Sequence, residues 1–340
     1  AALFDLARDL AQRVPLRLSL VSKAERGYGL ALGGDAAPAI RRSPAQLDPA
    51  MTVGEALQAV GRAALSQLCA SAETLRDRPS PEGVHQLRVA CRRMRVMLKA
   101  FKPLSAGPEA EGLGRELKWL ADELNAARDL DVFLAEVWRP AVKTQQADET
   151  AAFGRALLAA QANAYLRMEA ALESYRARLL LLEVAAWLEA GPWAADPDLA
   201  AVRDQPAPRF AAAVLEHRRH AIVKTSAHLD RLDPEIRHQL RLKGKTLRYA
   251  AEDLAGLFPH HPKRVAGFIE ATKLLQDALG RLNDLRVQPD LAREVALASG
   301  DPEAAFAAGR LTARGDEAAL MRDAQKARDA FADAKVFWPA

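Results

Sequence analysis

Two sets of cations in this chain share one spacing. His85, Arg88, Arg92, Arg95 and Lys99 follow one another at intervals of three or four residues, and His238, Arg241, Lys245 and Arg248 repeat the first four of those positions. On a helix turning by about 100° per residue, with His85 at zero, the next four fall near about 300°, 340°, 280° and 320°, less than a quarter of the circumference. Leu87, Cys91, Met94, Leu98 and Phe101 gather on another face of the first segment, and Leu240, Leu247, Ala251 and Leu254 on that of the second. Both segments therefore predict an amphipathic helix whose cations form one stripe. The stripes are unequal, because Glu252 stands where Lys99 stands in the first copy.

A row of like charges three, four and seven residues apart costs an isolated helix a few tenths of a kcal/mol per pair, so it implies an anion set against it. A solvated helix face usually mixes acids with bases, yet the first copy has no acid between Glu82 and Glu109. Arginine forks grip oxyanions through paired hydrogen bonds. From His85 to Lys99 the stripe runs about 21 Å at ~1.5 Å per residue, which suits an extended polyanion rather than one small phosphate. Aromatic residues are only 6% of the chain and do not interleave with the cations, which favours phosphate contacts over a base-stacking platform. His85 and His238 fit imidazoles that donate to phosphate and gain charge beside it. Lys118 and Lys273 are expected to extend the surface, and Arg128, Arg218, Arg219, Lys224 and Arg281 are weaker candidates.

The elements that must hold these stripes are helices. From about residue 50 onward Ala, Leu, Arg and Glu dominate, and prolines and glycines punctuate stretches of helical length. Breaks are expected at 78–81, 102–108, 191–208, 233–234, 259–262 and 300–302. Ser80 with Pro81 and Glu82, and Asp233 with Pro234 and Glu235, read as capped helix starts. His85-Gln86-Leu87-Arg88 returns as His238-Gln239-Leu240-Arg241 at an offset of 153 residues. Lys118-Trp119-Leu120-Ala121-Asp122 and Asp129 return as Lys273-Leu274-Leu275-Gln276-Asp277 and Asp284 at an offset of 155. The expectation is an all-α chain of two related bundles of about four helices each, at 50–190 and 208–340, joined by a linker at 191–207. Residues 1–49 read as a separate segment with a short helix, a strand over the alternating Leu16-Arg17-Leu18-Ser19-Leu20-Val21, and a Gly/Pro-rich passage.

Other signals carry less. Gly244-Lys245-Thr246 looks like the end of a P-loop, but Gln239 occupies the place of the required earlier glycine. His217 with His220, and His260 with His261, lack companions spaced to complete a metal site. Asp129 and Asp284 read as helix caps or arginine partners rather than an acid–base pair. Cys69 and Cys91 are too few for a disulfide framework and fit a reducing cytoplasm. Apolar runs such as 179–187 are cut by Glu183, well short of the roughly 20 residues a spanning helix needs. The formal net charge of +4 is the difference between 48 basic and 44 acidic groups, so an anionic partner must be met by a local patch.

Val84-His85-Gln86-Leu87-Arg88-Val89 with Arg92-Arg93-Met94-Arg95, and Arg237-His238-Gln239-Leu240-Arg241 with Lys245 and Leu247-Arg248-Tyr249, resemble the signature of the CHAD family, the conserved-histidine α-helical domain, over about residues 51–335. The resemblance implies two bundles related by pseudo-twofold symmetry, both turning histidine-led helices toward a shared basic groove. It also implies polyphosphate binding by His85, Arg88, Arg92, Arg95, His238, Arg241, Lys245 and Arg248, and less firmly by Lys118 and Lys273. The opening Leu16-Arg17-Leu18 and Ser22-Lys23-Ala24-Glu25-Arg26-Gly27-Tyr28 resemble the end of a CYTH triphosphatase domain. The chain, which opens at Ala1, is therefore expected to be the carboxy-terminal part of a CYTH–CHAD protein. The Glu-x-Glu-x-Lys motif of an active CYTH domain is not matched, since Glu109-Ala110-Glu111 is followed two residues later by Leu113 where the motif has Lys.

The expected function is binding of inorganic polyphosphate without chemical transformation, in the cytoplasm, for granule targeting or for delivery to a triphosphatase domain, with no cofactor, metal or membrane partner. The alternatives are a nucleic-acid-binding protein and part of a metal-dependent tri- or polyphosphatase.

Overall fold

The computed structural model describes residues 2–33, 44–144, 147–311 and 316–339, and every regular element among them is helical. In chain order these are α1 (Ala2–Arg13), α2 (Lys23–Ala31), α3 (Val53–Asp77), α4 (Pro81–Ala100), α5 (Pro108–Glu123), α6 (Asn125–Phe133), α7 (Arg139–Thr144), α8 (Ala147–Glu173) and α9 (Tyr175–Ala190). They continue with the single turns α10 (Pro192–Ala195) and α11 (Ala200–Arg203), then α12 (Ala207–Thr225), α13 (Pro234–Leu254), α14 (Pro262–Ser299), α15 (Pro302–Leu311) and α16 (Glu317–Asp333). A π-helical turn, Leu134–Trp138, lies between α6 and α7. Prolines occupy the first turn of α4, α5, α13, α14 and α15, where a missing N–H costs nothing. No described helix is long and apolar enough to cross a membrane.

The chain sorts into two compact units, Ala1–Arg128 with Ala164–Ala207 and Asp129–Asn163 with Pro208–Ala340. In the first, α3 packs on α4, α4 on α5, and α9 against α1, α3 and α5. Leu57, Leu68, Leu75, Leu87, Met94 and Met97 are fully buried there. Thr52 and Glu55 form a reciprocal capping box on α3, and the Ser80 hydroxyl accepts from the Gly83 N–H at 3.1 Å to start α4. In the second unit α14 is the hub, contacting α13, α15 and α16. Leu240, Leu247, Leu254, Phe268 and Leu275 fill its core. The chain end closes it: the Phe337 and Trp338 rings stand edge-on to Phe268 at 5.8 and 4.9 Å, and Trp338 Nε1 donates to Glu216 at 3.1 Å.

Several expectations meet a different structure. The strand over 16–21 is absent; those residues run as an irregular connection between α1 and α2. An alternating pattern yields a strand only when a neighbouring strand takes up its backbone groups, and none is present among the described residues. The Gly/Pro-rich passage lies largely outside the described residues. The 191–207 stretch expected as a linker is built into the first unit: Trp193 is buried, the Val53 N–H donates to Gln205 O at 3.0 Å, and the Ala207 N–H donates to Met51 O at 2.9 Å. The compact units also cut across the 50–190 segment, since 129–163 groups with the second unit. Asp233 stands at the N-cap of α13, but its side chain makes no capping bond.

Candidate polyanion-binding faces

In the first unit, α4 holds its stripe by burying the other face. Leu87, Cys91, Met94, Leu98 and Phe101 are each no more than 8% exposed, which fixes the rotation of the helix and leaves His85, Arg88, Arg92 and Arg95 half-buried and Lys99 exposed. No acidic side chain among the described residues pairs with Arg92 or Arg95. Arg88 is oriented from the neighbouring elements: its Nη1 donates to Asn125 Oδ1. Asn125 Nδ2 in turn donates to Asp122 Oδ1 at 3.3 Å, and Lys118 Nζ pairs with the other oxygen of Asp122. The exposed Lys118 thus joins the stripe at one end of a polar chain that sets the guanidinium of Arg88. Burial holds the His85 pKa below the usual histidine value, Arg128, Arg88 and Arg92 press it the same way, and Glu82 opposes them. His85 is accordingly neutral at pH 7.

In the second unit, α13 presents His238, Arg241, Lys245 and Arg248, all half-buried, above Leu240, Leu247, Ala251 and Leu254 in the core. His238 Nδ1 lies 2.7 Å from Asn283 Oδ1 on α14. Asn283 Oδ1 accepts only, so the proton is assigned to Nδ1, and an oxyanion reaching Nε2 requires the imidazolium form. A cavity of about 260 Å³ opens beside this imidazole, lined among others by Pro234, Arg237, Asn283, Arg286 and Glu317. The Arg241 guanidinium lies over Gly280 of α14, at the edge of contact with any side chain there: a Cβ at that position would stand 3.4 Å from Nε. Arg248 donates from Nε to Gln276 Oε1 at 3.0 Å and from Nη1 to Glu252 at 2.7 Å. Lys273 is exposed, 3.9 Å from Glu270.

The two units repeat these relationships at the 155-residue offset. Asn125, which receives Arg88, corresponds to Gly280, which underlies Arg241; Arg128, which acts on His85, corresponds to Asn283, which receives His238. Asn125, Gln276, Gly280 and Asn283 were not singled out from sequence. The available signal was their place inside the matched Lys118–Asp129 and Lys273–Asp284 stretches.

The outlying basic candidates divide. Arg219 donates to Ala332 O at 3.0 Å and pairs with Glu216 at 3.4 Å, so it fastens the end of α16. Arg281 pairs with Asp323 at 3.8 Å. Burial pushes the Arg218 pKa down, and Lys224 is exposed at the end of α12. Among the described residues no three His, Cys, Asp or Glu side chains gather as metal ligands. Burial pushes both Cys69 and Cys91 thiols up to about 12, which keeps them protonated and unreactive.

By fold and site the protein is an all-α chain that carries a histidine-led basic helix twice. It belongs to the CHAD family: the CHAD domain matches residues 59–293. The chain is similar to the crystal structure of the CHAD domain from the plant Ricinus communis, at 27% identity and a TM-score of 0.72, covering 87% of this chain and 97% of that one. It also shares its fold with PptA from Streptomyces chartreusis, at 22% identity and a TM-score of 0.56, covering 84% and 99%. No curated protein matches it.

Proposed function

We propose that this chain binds inorganic polyphosphate without transforming it, chiefly along the α4 face and secondarily along the α13 face. The observation that carries this reading is that Arg92 and Arg95 stand half-exposed without a carboxylate partner among the described residues, in line with His85, Arg88 and Lys99. A row of guanidiniums at helical spacing meets successive phosphates, each through paired charge-assisted hydrogen bonds. The site residues are His85, Arg88, Arg92, Arg95 and Lys99 on α4, His238, Arg241, Lys245 and Arg248 on α13, and Lys118 and Lys273 at the margins. The face positions and neutralises the phosphate chain through charge and hydrogen bonds. Such binding serves attachment to polyphosphate granules in the cytoplasm, or delivery of substrate to a triphosphatase domain in a longer parent protein.

The test is titration with long-chain polyphosphate, comparing the wild type with an Arg88→Ala/Arg92→Ala/Arg95→Ala variant. Wild-type affinity should fall steeply with salt, and the variant should show a shallower slope, by about one counterion for each phosphate no longer gripped. Unchanged binding in the variant contradicts the site. Preference for DNA or RNA at matched salt would replace the ligand, and phosphate release with Mg²⁺ or Mn²⁺ would turn the reading to an enzyme.

A further inference from the structure

Arginines converge a second time in the first unit, away from both stripes, where α8 hands over to α9. Glu173, the last residue of α8, pairs with Arg17 from the connection after α1 and lies 3.2 Å from Arg76 Nε of α3 as an ionic neighbour. Arg76 Nη2 donates to the Leu172 backbone oxygen at 2.9 Å. Arg178, one turn into α9, donates from Nη1 to the Glu173 backbone oxygen. The charges acting on Arg76 are those of Arg17, Glu173 and Arg178, together with Cys69, whose thiol is protonated. Arg17 and Arg76 thus share the Glu173 carboxylate while Arg178 takes only its backbone oxygen, so three guanidiniums gather at one carboxylate, an excess of two positive charges. The neighbouring pair Arg26–Glu73, at 2.9 Å, balances itself and leaves that excess in place.

Two further features make this an arrangement for an anion. The Arg76 side chain is 9% exposed, and the Nε atoms of Arg76 and Arg178 are both buried with neither making a hydrogen bond. Burying a cation without full pairing is costly, and a second anion relieves the cost. The corner also adjoins the start of α9, a helix of 16 residues whose N-cap is Ser174, so the positive end of its dipole adds to the same field.

We propose that this α8–α9 corner is a separate site for one phosphate dianion, either inorganic phosphate or a small phosphomonoester, held by Arg17, Arg76 and Arg178. A dianion matches the excess of two charges. Because Arg17 precedes α2 and both other arginines belong to the bundle, the bound dianion fastens the amino-terminal segment to α3 and α9. The site is independent of polyphosphate binding on α4 and α13.

The experiment uses the full chain with Arg88→Ala/Arg92→Ala/Arg95→Ala as background, which removes the α4 stripe. Calorimetric titration with inorganic phosphate, and separately with phenyl phosphate, should show saturable uptake of one equivalent. Adding Arg17→Gln and Arg178→Gln should weaken it at least about tenfold, the worth of a single strong ionic interaction. If that variant does not fold, Glu173→Gln decides, since removing the competing carboxylate should tighten phosphate. Uptake of phosphate but not phenyl phosphate assigns the free ion; uptake of both assigns the monoester class. Absence of saturable binding in the background protein, or affinity unchanged by the Arg17 and Arg178 changes and not tightened by Glu173→Gln, overturns the proposal.

Discussion

Arg248 donates from Nη1 to Glu252 at 2.7 Å, one turn further along α13, whereas Arg95, its counterpart on α4, faces Lys99 at the corresponding distance along the helix. Gln276 on α14 holds the other side of Arg248 at 3.0 Å, and the residue in its place in the first copy is Ala121. Arg95 and Arg248 thus occupy equivalent positions in different electrostatic states.

Arg95→Ala should lower polyphosphate affinity about tenfold or more, the worth of one hydrogen bond to a charged group. Arg248→Ala should change it less than about twofold and instead cost roughly 1–2 kcal/mol of stability, because it removes a cation from the 13%-exposed Glu252 side chain. Glu252→Ala should raise affinity by releasing Arg248. Equal affinity losses at Arg95 and Arg248 in parallel titrations would contradict this asymmetry.

The depressed pKa of His85 carries a pH signature. Between its folded value and the ordinary histidine value of about 6.5, the unfolded chain binds the extra proton, so stability rises with pH across that window and falls on acidification through it. Chemical denaturation from pH 7.5 to 5 should show a fall that His85→Gln reduces. Polyphosphate reverses the sign, since an anion beside the imidazole favours its charged form, and binding should strengthen as pH falls. An identical pH profile for wild type and His85→Gln would refute the assignment.

Two glycines should respond oppositely to alanine. At Gly61 of α3 a Cβ would fall 2.2 Å from Leu188 Cδ2 of α9, and Leu188 is fully buried, so Gly61→Ala should destabilise by about 1–3 kcal/mol. At Gly244, inside α13, nothing lies within 4 Å of the added carbon, so Gly244→Ala should stabilise by about 0.5–1 kcal/mol. Thermal melts of the two variants read this directly.

The chain end should matter to the second unit. Phe337 is 1% exposed and meets Phe258 at 5.5 Å as well as Phe268 and Trp338. Phe337→Ala should cost about 3–5 kcal/mol by the loss of a fully buried ring. A denaturation midpoint within error of wild type would show the tail to be dispensable.

The helices, their proline-marked starts, the duplication and both cationic stripes were legible in the sequence, because a 3.6-residue period and a proline at a helix start are local properties of the chain. The same local rules placed Leu87, Met94, Leu240 and Leu247 in the core. They failed at residues 16–21, where alternation suggested a strand, since a strand exists only if another segment pairs with it.

What tertiary structure decided was the state of each charge. That Arg88 meets Asn125, that His238 meets Asn283 and that Arg248 is held by Gln276 depend on which turn of a packed neighbour comes opposite. The same is true of the grouping of 129–163 with the second unit, the docking of Phe337 and Trp338, and the gathering of Arg17, Arg76 and Arg178 around Glu173. Sequence periodicity fixes which way a side chain leaves its own helix; the partner it finds is set by the packing of the helices, which no single helix encodes.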